Sequence, residues 1–269
     1  MLAVPTGNLK KETKLLVGDL VTVNQDDYSN KVVITSILPR LNSLIRPTVA
    51  NVDNLVIVIA PSPAPDFYLV DKLIVYCNMH GIKPIIVVNK MDSANNDFIN
   101  QIVLDYKNVV HAIVQTSAIN GNIGDLMGYL KGKFSVFAGQ SAVGKSSILN
   151  VICPKINQQT NILSKKVDRG QHTTRVCEIF NVDGSLIADT PGFSMLEIFD
   201  IEPNDLQDYY AEFLPYRTCK FSNCTHTNIN DKHCGVVMAV NDNKISINRY
   251  NRYVVNYKKL KESWDKKYD

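Results

Sequence analysis

The run Gly139-Gln140-Ser141-Ala142-Val143-Gly144-Lys145-Ser146, with Ser147 after it, has the spacing G-x4-G-K-S. Those residue types suit phosphate. Glycines let the backbone close around anionic oxygens, the Lys145 ammonium would reach the β- and γ-phosphates, and the Ser146 hydroxyl would hold Mg²⁺. An apolar run, Phe134 to Ala138, precedes the loop, and a helix-compatible stretch, Ser147 to Ile152, follows it. Strand, loop and helix N-terminus is the setting in which oriented N–H groups meet an anion. The competing reading, a glycine-rich turn matching by chance, must also explain a lysine and a serine in register.

Three more runs extend the site. Asn89-Lys90-Met91-Asp92 follows the apolar stretch Pro84 to Val88. A carboxylate at Asp92 accepts from both N1–H and the exocyclic amine of guanine, which adenine cannot offer, while Asn89 and Lys90 brace the loop. Thr116-Ser117-Ala118 follows Val109 to Gln115 and suits a second base-contacting loop, with a backbone N–H on the base oxygen. In Asp189-Thr190-Pro191-Gly192, Asp189 would hold Mg²⁺ through water and the Gly192 N–H would sense the γ-phosphate. Within Gly170-Gln171-His172-Thr173-Thr174-Arg175, one threonine completes the Mg²⁺ shell, Thr174 being favoured over Thr173. Each short run alone is weak evidence; chance does not supply all of them together. Their order is unusual, because the base loops at 89 and 116 precede the phosphate loops at 139 and 189. A circular permutation keeps such a site, since all these loops meet at one edge of the same sheet. It also joins the segment after Gly192 directly to the C-terminal part of the chain, where a phosphate-driven shift could be passed on.

A second constellation is Cys219-x4-Cys224-x-His226-x7-Cys234, three thiols and an imidazole within sixteen residues. That set suits one tetrahedral structural Zn²⁺ with no open position. The bland alternative is free cysteines in a reducing cell; the scattered Cys77, Cys153 and Cys177 read as small core residues. His233 adjoins Cys234 and competes with His226 as the fourth ligand.

The elements that must position these groups follow from length and pattern. At 269 residues with 45% apolar content, the chain suits two or three globular units. Residues 1–48 are short and β-like, with Lys14 to Val23 and Lys31 to Leu38 rich in Val, Ile and Thr. From 49 to 200, apolar strands (Leu55 to Ala60, Pro84 to Val88, Val109 to Gln115, Phe134 to Ala138, Val176 to Val182, Ser185 to Ala188) alternate with helical stretches (Asp66 to His80, Phe98 to Tyr106, Ile123 to Lys131). This alternation predicts a mostly parallel α/β sheet covered by helices. Residues 201–269 add a helix over Pro203 to Phe213, the cysteine cluster and a basic, aromatic C-terminal helix. No apolar run approaches the ~20 residues of a membrane span, and the N-terminus lacks a secretory pattern, so the expected compartment is the cytoplasm.

Together the motifs resemble the ribosome small-subunit-dependent GTPase A family, RsgA (also YjeQ or YloQ). The resemblance spans essentially the whole chain: L-V-G-D at 16–19, L-I-R-P at 44–47, N-V-D at 51–53, N-K-M-D, G-Q-S-A-V-G-K-S-S, G-Q-H-T-T-R, A-D-T-P-G-F and C-K-F-S-N-C-T-H. It implies an N-terminal OB-like barrel, a circularly permuted P-loop GTPase domain and a C-terminal zinc-binding helical domain. It further implies a monomer that cycles between GTP and GDP on the small ribosomal subunit and its rRNA, acting late in that subunit's maturation. Phe193 occupies the place where many GTPases carry a water-orienting Gln, and the resemblance gives that catalytic role to His172. Three departures stand out. The resemblance begins close to the barrel's middle, so the first strands are expected to be absent or degenerate. Ala142 replaces the family's usual glycine, tolerable where φ is negative. The x7 spacing before Cys234 is longer than usual.

From Lys244 to Asp269 there are eight Lys/Arg against three Asp/Glu, interleaved with Tyr250, Tyr253, Tyr257, Trp264 and Tyr268. Most of these aromatics are expected to pack on the zinc-binding unit, and some of the basic residues to contact rRNA phosphates. Lys165, Lys166, Arg169 and Arg175 suggest RNA near the site as well. The alternative function is a zinc-containing RNA-binding module whose guanine-nucleotide site regulates and does not turn over.

Overall fold

Leu55, Val56, Ile57 and Val58 are wholly buried, so the strand they form is covered on both faces. The structure is a computed structural model, and it describes residues 3–6, 14–25, 32–44, 48–154, 178–189 and 201–268. In it β6 (Asn54–Ile59) lies at the middle of a six-stranded sheet with β7 (Lys83–Val88), β8 (Ala112–Gln115), β9 (Phe134–Ala138), β10 (Glu178–Val182) and β11 (Ser185–Asp189). The spatial order is β10-β11-β9-β6-β7-β8, parallel throughout except for the β10–β11 pair.

Side chains alternate across this sheet. Leu55, Ile57 and Ile59 pack with Leu69, Leu73, Ile74 and Cys77 of α1 (Phe67–His80) and with Ile102 and Tyr106 of α2 (Asn96–Tyr106). Val56 and Val58 face the other way, toward α3 (Leu126–Leu130) and α4 (Lys145–Ile152). Each such aliphatic side chain contributes about 1.5–3 kcal/mol on burial. Asp66 caps α1 by accepting from the N–H groups of Tyr68 and Leu69, and Gly81 ends it with φ 65°.

Strand order carries the permutation. From β6 the chain steps outward through β7 and β8, then returns to lay β9 on the opposite side of β6. The β6/β9 junction is thus the point where the winding reverses, and the crevice at the C-terminal ends of these strands is where such sheets bind ligands.

The expected N-terminal barrel is represented, among the described residues, by two separate pieces. One is a three-stranded sheet in the order β1-β3-β2 (β1 Ala3–Pro5, β2 Val21–Gln25, β3 Val32–Ile37), with a bulge at Thr22/Val23. The other is a ribbon of β4 (Ser43–Leu44) and β5 (Val49–Ala50).

Several element bounds differ from the sequence reading. The strand expected over Val109 to Gln115 begins only at Ala112, because the N–H groups of Val109 and Val110 still bond the Tyr106 carbonyl at the end of α2. The helix expected from Ile123 starts at Leu126, after Gly124 turns the chain at φ 51°. Pro203 to Phe213 forms two 3₁₀ segments, Pro203–Tyr209 and Ala211–Tyr216, and not one α-helix. Pro215 lies inside the second and has no N–H to continue it. These segments, α5 (Gly235–Asn241) and α6 (Ile247–Tyr268) build a third core around Phe213, Val237, Tyr250 and Tyr253, into which Val75 of α1 also packs. No helix among the described residues is long and apolar enough to cross a membrane.

Candidate functional site

The phosphate loop runs from β9 into α4 at the reversal point. Gly139 has φ 135°, and a Cβ there would lie 2.3 Å from the Val58 carbonyl oxygen of β6, so only glycine lets the loop leave the sheet this closely. Gly144 is equally constrained, since a Cβ on it would meet Asn89 Nδ2 at 2.2 Å. No side chain among the described residues caps α4, which leaves its first N–H groups turned toward the loop's hollow. Lys145 Nζ donates to the Gly139 and Gln140 carbonyls at 2.8 and 2.6 Å, folded back along the loop. Val143 is buried, while Ser141, Ala142, Ser146 and Ser147 are exposed around the rim.

Ala142 does not meet the condition of a negative φ under which it would be freely tolerated. It sits at φ 65°, in the left-handed region that costs a residue with a Cβ about 1–2 kcal/mol. Part of that penalty is offset by glycine's larger unfolded-state entropy. Ala142→Gly is therefore expected to raise unfolding stability by about 1 kcal/mol in urea denaturation. A loss of stability would mean that the methyl makes contacts worth more than the strain.

The two base loops are joined to the phosphate loop through Asn89, a buried side chain. Its Nδ2 donates to the Val143 carbonyl at 3.0 Å. Its Oδ1 accepts from Thr116 Oγ1 at 3.0 Å and from the Ala118 N–H at 3.2 Å. Lys90, at φ 59°, reaches back so that its ammonium donates to the Ala142 carbonyl at 2.9 Å and to the Ser62 carbonyl at 2.6 Å. Ser117 Oγ donates to Asp92 Oδ1 at 2.5 Å, which braces an otherwise exposed carboxylate. One amide side chain thus ties together three loops that are far apart in sequence. Asp189 ends β11, with its backbone in register with Phe137, two residues before Gly139. His172, Thr173, Thr174, Gly192 and the basic residues Lys165, Lys166, Arg169 and Arg175 lie outside the described residues.

The second constellation converges as well. The donor atoms of Cys219, Cys224, His226 and Cys234 all lie within 4.8 Å of one another. Sγ of Cys219 and Sγ of Cys234 are 3.7 Å apart, and His226 Nδ1 stands 3.5 and 3.2 Å from them. These spacings approach the edges, about 3.8 Å between sulfurs, of a tetrahedron around an ion 2.3 Å from each thiolate. The donor set therefore fits zinc. Burial pushes the Cys234 thiol up to about 12 and raises that of Cys224. Burial, aided by the Arg217 cation, pulls His226 down to about 4, so its ring is neutral at pH 7. His226 Nε2 is 2.7 Å from Gln207 Oε1, which aims Nδ1 at the sulfurs. His233 is exposed and outside the cluster. Gln207 has no signature in the sequence, since a polar residue beside an acidic one marks any solvated turn.

The basic C-terminal helix divides. Arg249 and Arg252 are buried and bound to Asp71 at 2.6 and 2.5 Å, and so are unavailable to a nucleic acid. Tyr250, Tyr253 and Tyr257 are core, as expected of most aromatics there. Lys258, Lys259, Lys261, Lys266 and Lys267 are exposed.

Comparison with known proteins agrees with this geometry. A family model described as RsgA GTPase matches residues 37–199. The chain is 42% identical over 265 residues to the small ribosomal subunit biogenesis GTPase RsgA of Ruminiclostridium cellulolyticum, covering 96% of this chain and 86% of that relative. The crystal structure of YjeQ from Thermotoga maritima superposes with a TM-score of 0.81 at 35% identity, covering 96% of this chain and 89% of the other. That of YloQ, a circularly permuted GTPase, gives a TM-score of 0.80 at 32% identity over 97% of this chain and 86% of the other. The permuted order read from the motifs is borne out.

Proposed function

This chain belongs to the RsgA GTPase family, and on that premise we propose that it hydrolyses GTP to GDP and phosphate while bound to the small ribosomal subunit during that subunit's maturation. The observation that carries the reading is the junction at Asn89. It holds a phosphate loop, an N-K-M-D loop and a T-S-A loop at one crevice of a permuted sheet. In this reading the backbone from Gly139 to Ser147, with Lys145, receives the phosphates, while Asp92, Ser117 and Ala118 receive the guanine. Ser146 and Thr174 hold Mg²⁺, with Asp189 bonded to it through water and the Gly192 N–H on the γ-phosphate. The ion supplies neutralisation of charge on the β- and γ-oxygens. His172 orients the attacking water, in place of the Gln that Phe193 replaces. Cys219, Cys224, His226 and Cys234 hold one structural Zn²⁺, which supplies a rigid anchor to the third core. The exposed lysines of α6 contact rRNA phosphates. The molecule acts as a cytoplasmic monomer, divided at about residues 48 and 200 into barrel, GTPase and zinc-binding domains.

Phosphate release from GTP, with and without purified small subunits, tests this. Wild type is expected to be stimulated by the subunits. His172→Ala is expected to lose roughly 10²-fold of the stimulated rate, as removal of a water-orienting group does, while still binding nucleotide. Absence of stimulation in wild type would overturn the ribosome-activated reading and favour an RNA-binding module with a regulatory nucleotide. Stimulation that survives the substitution would move the orienting role away from His172.

A further inference from the structure

The first turn of α1 touches the phosphate loop on one side and the C-terminal helix on the other. The Asp66 N–H donates to Gln140 Oε1 at 2.8 Å, so a phosphate-loop side chain is seated on the helix cap. One residue on, the Phe67 ring lies 5.3 Å from the Arg252 guanidinium, and the Tyr68 ring lies 5.5 Å from Lys259 Nζ. Both cations belong to α6. Five residues beyond the cap, Asp71 is fully buried and held by Arg249 and Arg252 at once. Asn78, near the end of the same helix, donates to the Tyr209 carbonyl at 2.8 Å.

These contacts differ in how easily they give. Asp66 and Gln140 meet at the surface through a single neutral hydrogen bond, which a ligand filling the loop can shift or break. The ion pairs of Asp71 are buried, and separating them would strand charges away from water. Of the two ends of this chain of contacts, the one at α6 is therefore the firmer. This route is separate from the covalent one through residues 190–200, which lies outside the described residues.

We propose that the first turn of α1 is a mechanical junction between the nucleotide and the C-terminal helix, with Gln140 as its positioning residue. Nucleotide at the phosphate loop changes the placement of α6, and by reciprocity a partner seated on the lysines of α6 changes the hold on nucleotide. The proposal rests on the guanine-nucleotide reading above.

The chain's single tryptophan, Trp264, lies on α6 and reports on it directly. Its emission, together with hydrogen exchange along α6, is followed in the full-length protein without nucleotide and at saturating GDP or a non-hydrolysable GTP analogue. Equilibrium dialysis with labelled nucleotide establishes saturation independently. Wild type is expected to respond. Gln140→Met, which keeps the side chain's length but has no amide oxygen, is expected to lose about twofold or more of the saturated response. Gln140→Glu, which keeps an acceptor for the Asp66 N–H, is expected to retain most of it. The proposal is overturned if wild type binds nucleotide with neither readout changing, or if Gln140→Met responds as fully as wild type. If dialysis finds no guanine-nucleotide binding in wild type, the functional reading itself fails and the junction with it.

Discussion

Asp92→Asn is expected to move the nucleotide preference of this chain from guanine toward xanthine. A carboxylate offers acceptors only, and guanine presents two donors to it. Hydrogen bonds to a charged group contribute about 1.5–3 kcal/mol each, so losing both weakens GTP binding roughly 10²–10⁴-fold. The direction of the switch follows from a neighbour. Ser117 Oγ donates to Asp92 Oδ1 at 2.5 Å, and in the asparagine variant this hydroxyl keeps the amide oxygen on its own side. The amide nitrogen is then turned toward the base. There it opposes the donors of guanine but pairs with the carbonyl that xanthine carries in place of the amine. Competition of GTP and xanthosine triphosphate against a labelled nucleotide measures the shift. An unchanged guanine preference would show that the base sits away from Asp92.

Much of this site is legible in the sequence alone, because its groups lie on loops whose composition is set by the chemistry they perform. The G-x4-G-K-S loop, N-K-M-D and the Cys219 to Cys234 cluster each need particular atoms at fixed spacing, and packing cannot substitute for them. Periodicity likewise found the buried strands, whose runs of Val and Ile have no other stable place. What it could not find were relations across the sequence. Arg249 and Arg252 read as surface charge on a basic helix, and their burial depends on Asp71, some 180 residues earlier in the chain. The positive φ of Ala142 is not legible for a related reason. Its φ of 65° belongs to the path of the loop between β9 and α4, which the residue type does not encode. Of the barrel only a strand-rich composition could be read, since short strands owe their pairing to partners and not to their own pattern.

Cys234→Ser is expected to empty the metal site and loosen the third core with it. Cys234 is fully buried and lies 3.2 Å from His226 Nδ1, and its sulfur also accepts the Val237 N–H at the start of α5. Serine keeps a short polar cap for that helix, so the α5 N-terminus alone should survive the change. What serine cannot do is bind as a thiolate. In the cluster, burial favours the neutral thiol at Cys234 and Cys224, so three adjacent thiolates require a dication among them. Structural zinc in such a set contributes on the order of 10–16 kcal/mol of folding free energy to small domains, far more than a cap or one buried side chain. Wild type should then carry about one zinc per chain by elemental analysis, as a closed four-ligand site requires. Cys234→Ser and His226→Ala should carry little, and Trp264 emission should report melting of the C-terminal unit at a lower temperature. His233→Ala is the decisive partner experiment. Its side chain is exposed and outside the cluster, so its zinc content should match wild type. Loss of zinc in His233→Ala with retention in His226→Ala would reverse the assignment of the nitrogen ligand. Full zinc content in all three would mean that the four side chains converge for packing alone.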